Sequence, residues 1–124
     1  SGYNAAVLSK LCKQVISLER IDDLALVAKE RLEEDYPNVK VVIADGSKGY
    51  EKEALYDRIV LTAYCHEIPN ALFDQLKDRG YLIAPIGDQH HQMLKLYKKI
   101  SGRIIEEDLL DVLFVPLVSG EEIY

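Results

Sequence analysis

No apolar run in this chain is long enough to cross a bilayer, which excludes a membrane-spanning helix. Positive charge is also short: 15 Lys and Arg stand against 21 Asp and Glu, for a formal net charge of −6 and a pI near 5.0. These totals leave no basic surplus to neutralise phosphates, so nucleic acid is not an expected partner. Cysteine is scarce. Cys12 and Cys65 lie far apart in apolar segments, with no CxxC spacing and no signal-peptide pattern, so reduced thiols and a cytoplasmic location are expected. Repeats, low-complexity tracts and Gly/Ser-rich linkers are absent, and nothing marks a boundary inside residues 1–124. Metal-ligand spacing is lacking too. His66 stands beside Cys65 and His90 beside His91, but adjacent ligands rarely reach one ion and no His-x-x-x-His occurs. No metal site is expected, and His90-His91 read as part of a solvated loop.

What is present is a 124-residue chain with 48% hydrophobic content, enough for one core. Ala5, Ala6, Leu8, Leu11 and Cys12 recur at helical spacing, and VISLE (15–19) is a β-branched run suited to a buried strand. Asp22 and Asp23 open a second helix whose apolar face is predicted to be Leu24, Val27, Ala28 and Leu32, stopped by Pro37 and Asn38. The charged KERLEED stretch is its solvated face. VKVVIA (39–44) is the next strand, ending at Asp45-Gly46. A short segment (48–55) leads to DRIVLTA (57–63), apolar enough to be covered on both faces, as parallel strands are. Pro69 suits a first helical turn ahead of Ala71, Leu72 and Leu76. Asp78 to Gly80 then turn the chain into YLIAPIG (81–87). QMLKLYKKI and RIIEEDLLDVLFVPLV alternate, lack strong helix caps and are separated by Ser101-Gly102, the pattern of an antiparallel hairpin on a sheet edge. The order implies an α/β fold: a doubly wound, mostly parallel sheet with right-handed crossovers and an antiparallel hairpin at the C-terminal edge.

Two acids carry the first functional reading. Glu19 closes the first strand and Asp45 follows the second. Strand-ending carboxylates in an open α/β sheet can accept hydrogen bonds from nucleoside hydroxyls, so the pattern points to a nucleoside-cofactor site.

The ordered blocks SGYNAAVLSKL, VISLER, ADGSKGY, YDRIVLTA, EIP, LFDQLKDRGYLIAPIG and DVLFVPLV resemble the protein-L-isoaspartate O-methyltransferase family over nearly the whole chain. ADG alone is weak, because many methyltransferases carry something similar; the ordered set ending in LIAPIG and FVPLV is specific. The resemblance implies a Rossmann-like methyltransferase domain over residues 1–124 that uses S-adenosylmethionine and releases S-adenosylhomocysteine. It implies repair of damaged proteins and peptides by methylation of isoaspartyl carboxylates, by a monomer. The family's first strand and N-terminal region, with its active-site serine, have no counterpart here, so no catalytic residue is assigned. That strand is expected between VISLE and DRIVLT. Unpaired buried amides cost roughly 1–3 kcal/mol each in domains stable by only ~5–15 kcal/mol, so the chain is expected to be part of a longer polypeptide.

By the same resemblance, Ser1 and Gly2 match the tail of the family's glycine-rich cofactor loop. Glu19, with Arg20 beside it, matches the acid that accepts from the ribose hydroxyls; its plainer reading is an acid capping the following helix. Asp45 and Gly46 match the pair near the adenine, where the carboxylate accepts from the amino group and glycine lets the backbone approach; the plainer reading is a common turn pair. Thr62 and Ala63 match the strand end beside the reacting methyl and the substrate. Tyr64, Cys65 and His66 depart from the family's smaller Ala- and Pro-rich run, which bears on the shape of the substrate mouth. Val118 matches a position closing over the cofactor, or simply packs in the core. The implied reaction is in-line attack of an already ionised carboxylate on the sulfonium methyl, governed by alignment and exclusion of water, with no general base. Rival readings are another methyltransferase of this fold acting on a small molecule or RNA, and an inactive cofactor-binding fragment. The acidic balance and the lack of an Asn-Pro-Pro-Tyr stretch argue against methylation of bases, and the hairpin tail argues against a dinucleotide dehydrogenase.

Overall fold

The computed structural model describes residues 3–32 and 34–117. The expected positions Ser1, Gly2 and Val118 lie outside the described residues. Two compact units divide the chain, one running up to Gly46 and the other starting at Ser47.

In the first unit, α1 (Tyr3–Ser9), β1 (Val15–Glu19), α2 (Asp22–Leu32) and β2 (Val39–Ile43) form a two-stranded parallel sheet with its helices. Ala5, Val15, Ala28, Leu32 and Val39 are its buried core. The helix α1 ends before Leu11 and Cys12, which are exposed rather than on the predicted buried face. Asn38 explains the stop: its Nδ2 donates to the carbonyls of Ser9 (2.6 Å) and Cys12 (3.0 Å), satisfying oxygens that the helix leaves free. The buried stripe of α2 is Ala25, Ala28 and Leu32, a helical i, i+3, i+7 row, whereas Leu24 and Val27 are exposed. Small alanines let α2 lie close to its sheet. Asp22 and Asp23 in its first turn and Lys29 and Arg31 in its last oppose the helix dipole.

Two short 3-10 turns, Gly46–Lys48 and Glu51–Glu53, lead to β3 (Tyr56–Val60), α3 (Asn70–Asp74), β4 (Leu76–Gly87), β5 (Gln92–Ile100) and β6 (Arg103–Val112) of the second unit. Its sheet has the order β3-β4-β5-β6, with β3 parallel to β4 and the other two pairs antiparallel. The expected edge hairpin is β5-β6. Together the units give an α/β fold with two parallel and two antiparallel strand pairs among the described residues, in two sheets.

Two expectations change here. The segment 78–80 is not a turn ahead of a strand but an irregular stretch inside β4: Tyr56 pairs with Leu76, the register shifts, and pairing resumes at Arg58 with Tyr81. Arg79 takes a positive φ of 66° there, which bulges the strand without ending it. DRIVLTA is covered on one face only. Ile59 and Leu61 pack on the core of Ile68, Leu72, Leu76, Leu82, Ala84 and Tyr97 beneath α3, while Arg58 and Val60 on the opposite face are exposed. On that open face Tyr81 lies between the Arg58 guanidinium at 4.4 Å and Lys98 Nζ at 5.7 Å, a cation–π stack across three strands.

Candidate active site

In the first unit, parallel pairing sets where the two strand-ending acids lie. Glu19 is in register with Ile43, and the Ala44 N–H donates to the Glu19 carbonyl at 3.0 Å, so both strands finish together and Asp45 follows two residues beyond the end of β2. The two acids therefore share the C-terminal end of one sheet, where open α/β sheets bind ligands. Glu19 is half-buried. Its Oε1 accepts from the Ile21 N–H at 3.2 Å, at the entry to α2, and Oε2 takes no further hydrogen bond among the described residues. The capping reading and the binding reading thus use different oxygens of one carboxylate. Arg20, Asp45 and Gly46 are half-buried beside it, and a Cβ built on Gly46 would meet nothing within 4 Å.

Thr62 and Ala63, the positions that the resemblance gives to the substrate, belong to the second unit and are described by themselves. Thr62 is exposed and Ala63 half-buried, just past the end of β3. The departing residues Tyr64 and Cys65 form a short extended rail. On one side Tyr64 donates N–H to Val115 O (2.7 Å) and accepts from the Leu117 N–H (2.7 Å). On the other, Cys65 donates to Pro85 O (3.2 Å) and accepts from the Gly87 N–H (3.0 Å). Burial pushes the Cys65 thiol up from its ordinary value, with Glu67 adding to it, so this thiol stays protonated at neutral pH. His66 is exposed and opens a cavity of about 490 Å³ lined by Glu67, Phe73, Lys95, Tyr97 and Glu106 among others.

Two buried glutamines were not anticipated from sequence. Gln75 accepts from the Tyr50 N–H (2.9 Å) and donates to Lys48 O (2.9 Å), closing the loop around Gly49. Gly49 has φ +66°, and any Cβ there would collide with the Gln75 amide. Gln92, 4% exposed, donates to Asp88 O (2.9 Å) and Phe114 O (3.2 Å) and accepts from the Phe114 N–H (2.7 Å). The one available signal was position: each glutamine borders an apolar strand, where a polar side chain is buried only with its hydrogen bonds met. His90 and His91 are exposed. Their backbone N–H groups both donate to Asp88 Oδ1 at 2.8 Å, and these bonds, that of His91 foremost, hold the Asp88 carboxyl below its usual range. Among the described residues no group of three or more His, Cys, Asp or Glu is placed to hold a metal ion.

The sequence pattern of the protein-L-isoaspartate(D-aspartate) O-methyltransferase family matches residues 1–122. The chain belongs to this family. A Methanococcus maripaludis protein-L-isoaspartate O-methyltransferase is 49% identical over 123 residues, covering 96% of this chain and 58% of the relative. The chain thus spans a little over half the length of that curated protein. A Plasmodium falciparum structure described as a protein-L-isoaspartate O-methyltransferase in complex with S-adenosyl-L-homocysteine is similar with a TM-score of 0.75 at 32% identity, over 96% of this chain and 59% of that one. Another protein-L-isoaspartate O-methyltransferase structure gives a TM-score of 0.83 at 32% identity, over 96% of this chain and 39% of that one.

Proposed function

We propose that the protein carrying this chain transfers a methyl group from S-adenosylmethionine to the free carboxylate of L-isoaspartyl residues in damaged proteins and peptides, and that residues 1–124 are part of its methyltransferase domain. The observation that supports this reading is the pair Glu19 and Asp45 at neighbouring ends of parallel strands, with no hydrogen bond to Glu19 Oε2 among the described residues, in a chain of this family. S-adenosylmethionine supplies the activated methyl. Glu19 accepts from the ribose hydroxyls through Oε2 while Oε1 keeps the entry to α2 in place. Asp45 receives the adenine amino group, and Gly46 leaves room for the base. The Thr62–Ala63 strand end receives the isoaspartyl carboxylate, which is ionised at neutral pH and needs no base to attack in line. Charge is neutralised along this path, so a site that sheds water favours the transition state. Ser1, Gly2 and Val118 complete the proposed cofactor contacts.

The formal charge of −6 supports protein rather than nucleic-acid substrates. The free thiols of Cys12 and Cys65 support a cytoplasmic setting, and we propose a monomer. Among the described residues no helix is long and apolar enough to cross a membrane.

Paired substitutions test the cofactor role. Glu19→Ala removes both functions of the carboxylate and Glu19→Gln retains an oxygen for the Ile21 N–H. Both are expected to raise the cofactor KM by a hydrogen-bond-sized ~1–3 kcal/mol at nearly unchanged kcat, and Ala alone should lower the melting temperature. An unchanged cofactor KM in both variants would leave Glu19 with capping only.

A further inference from the structure

We infer that Gln92 is a positioning residue for the substrate end of the site, acting through the segment Phe114–Leu117. The inference rests on the assignment of Thr62–Ala63 to the substrate. Segment 113–117 has little burial to fix it: Leu113 is 70% exposed, Val115 69% and Phe114 39%. Hydrophobic packing therefore does not choose its path. Hydrogen bonds do. Gln92 grips Phe114 at both backbone groups, accepting its N–H at 2.7 Å and donating to its carbonyl at 3.2 Å, a two-point contact that fixes orientation as well as distance. The same Nε2 donates to Asp88 O, tying the grip to the β4–β5 loop.

One and three residues on, Val115 O and the Leu117 N–H pair with Tyr64, directly after Thr62 and Ala63. Gln92 thus fixes Phe114, Phe114 aligns Val115 to Leu117, and these hold one side of the Tyr64–Cys65 rail. The other side is held independently by Pro85 and Gly87 of β4. Loss of Gln92 releases one side only, so the strand end that receives substrate is expected to lose its alignment while the sheet stays intact. Burial sharpens the demand. The Gln92 side chain is 4% exposed, so its amide holds Phe114 and Asp88 from a shielded position where each hydrogen bond counts for more than at the surface.

The test uses the full natural polypeptide with Gln92→Leu and the near-isosteric Gln92→Glu. Amide hydrogen exchange at Tyr64 and Leu117 is expected to accelerate roughly fivefold or more, while Leu61 and Gly87, whose N–H groups bond to Ile83 O and Cys65 O, keep parental protection. In methyl-transfer assays the isoaspartyl-peptide KM should rise by a similar factor and the cofactor KM should hold. The Glu variant carries its own signature. Ionised, it has no donor for the Asp88 and Phe114 carbonyls; protonated, it regains one, so its peptide KM should recover as pH falls, unlike that of the Leu variant. Unchanged exchange at Tyr64 and Leu117, or equal acceleration at all four amides, would overturn the grip. Local acceleration with an unchanged peptide KM would overturn the positioning role. A parent protein that transfers no methyl would remove the substrate reading and that role together, while exchange would still decide whether Gln92 holds the segment.

Discussion

At the scale of single residues, position on the strand decides what a polar side chain does. Glu19 Oε1 accepts from the Ile21 N–H at the entry to α2, and the proposed cofactor contact falls to its other oxygen. The Tyr97 phenol, by contrast, is buried against Phe73, with ring centroids 5.4 Å apart, and is pushed up to about 12 by burial first and by Glu106 second. A pH prediction follows. An unfolded tyrosine ionises near its ordinary value of 10.0, so between there and about 12 the unfolded chain binds fewer protons than the folded one. Stability from this group is whole below the lower value and is lost as pH rises through the upper. Denaturant midpoints taken across that window should fall more steeply for the parent than for Tyr97→Phe; parallel curves would show that the phenol is not effectively buried. Residue-level legibility was uneven for a related reason. Glu19 and Asp45 stood out because acids rarely close apolar strands, whereas Gln75 and Gln92 did not, because glutamine at a strand start reads as surface until its partners are known.

At the scale of elements, local chemistry and tertiary context separate clearly. The β5–β6 hairpin was legible because Ser101-Gly102 separates two alternating runs, and both residues take positive φ, 50° and 78°, in a two-residue connection closed by Ile100 and Arg103. Ser101 is the weaker half, since an L-residue with a Cβ is strained there. Ser101→Val should destabilise by about 1–2 kcal/mol and Ser101→Asn should not, as chemical denaturation would show; equal stabilities would mean that β5 and β6 pair without help from the turn. VISLE and VKVVI were legible from β-branched content and the α2 start from its acids. The rest was set at longer range. The end of α1 is fixed by Asn38, 29 residues after Ser9. The start of β4 is fixed by Tyr56, whose N–H reaches Gln75 O at 2.8 Å. Ala25 is buried in place of Leu24 because the row that faces the sheet is Ala25, Ala28 and Leu32. Lys99 is a similar case: its Nζ donates to the carbonyls of Phe73 and Leu76, at 2.8 and 3.0 Å, completing the end of the five-residue helix α3. None of these partners is a sequence neighbour, and no periodicity reports them.

At the scale of the whole molecule, the family is established by a match over residues 1–122, and the fold by its relatives at TM-scores of 0.75 and 0.83. The fold class was legible because the order of helices and strands survives local errors in their ends. The activity is the central claim, and selectivity is its sharpest part: methyl transfer must distinguish an isoaspartyl linkage from the normal aspartyl one, which carries the same atoms with a different carboxylate free. The most direct measurement is transfer of labelled methyl from S-adenosylmethionine by the full natural polypeptide to two peptides that differ only in that linkage. Label in the isoaspartyl peptide, lost as the ester hydrolyses in base, with none in its aspartyl twin, is the result expected. Equal labelling of both peptides, or of neither while the cofactor still binds, would contradict a repair enzyme and leave this chain with its family's fold and another task.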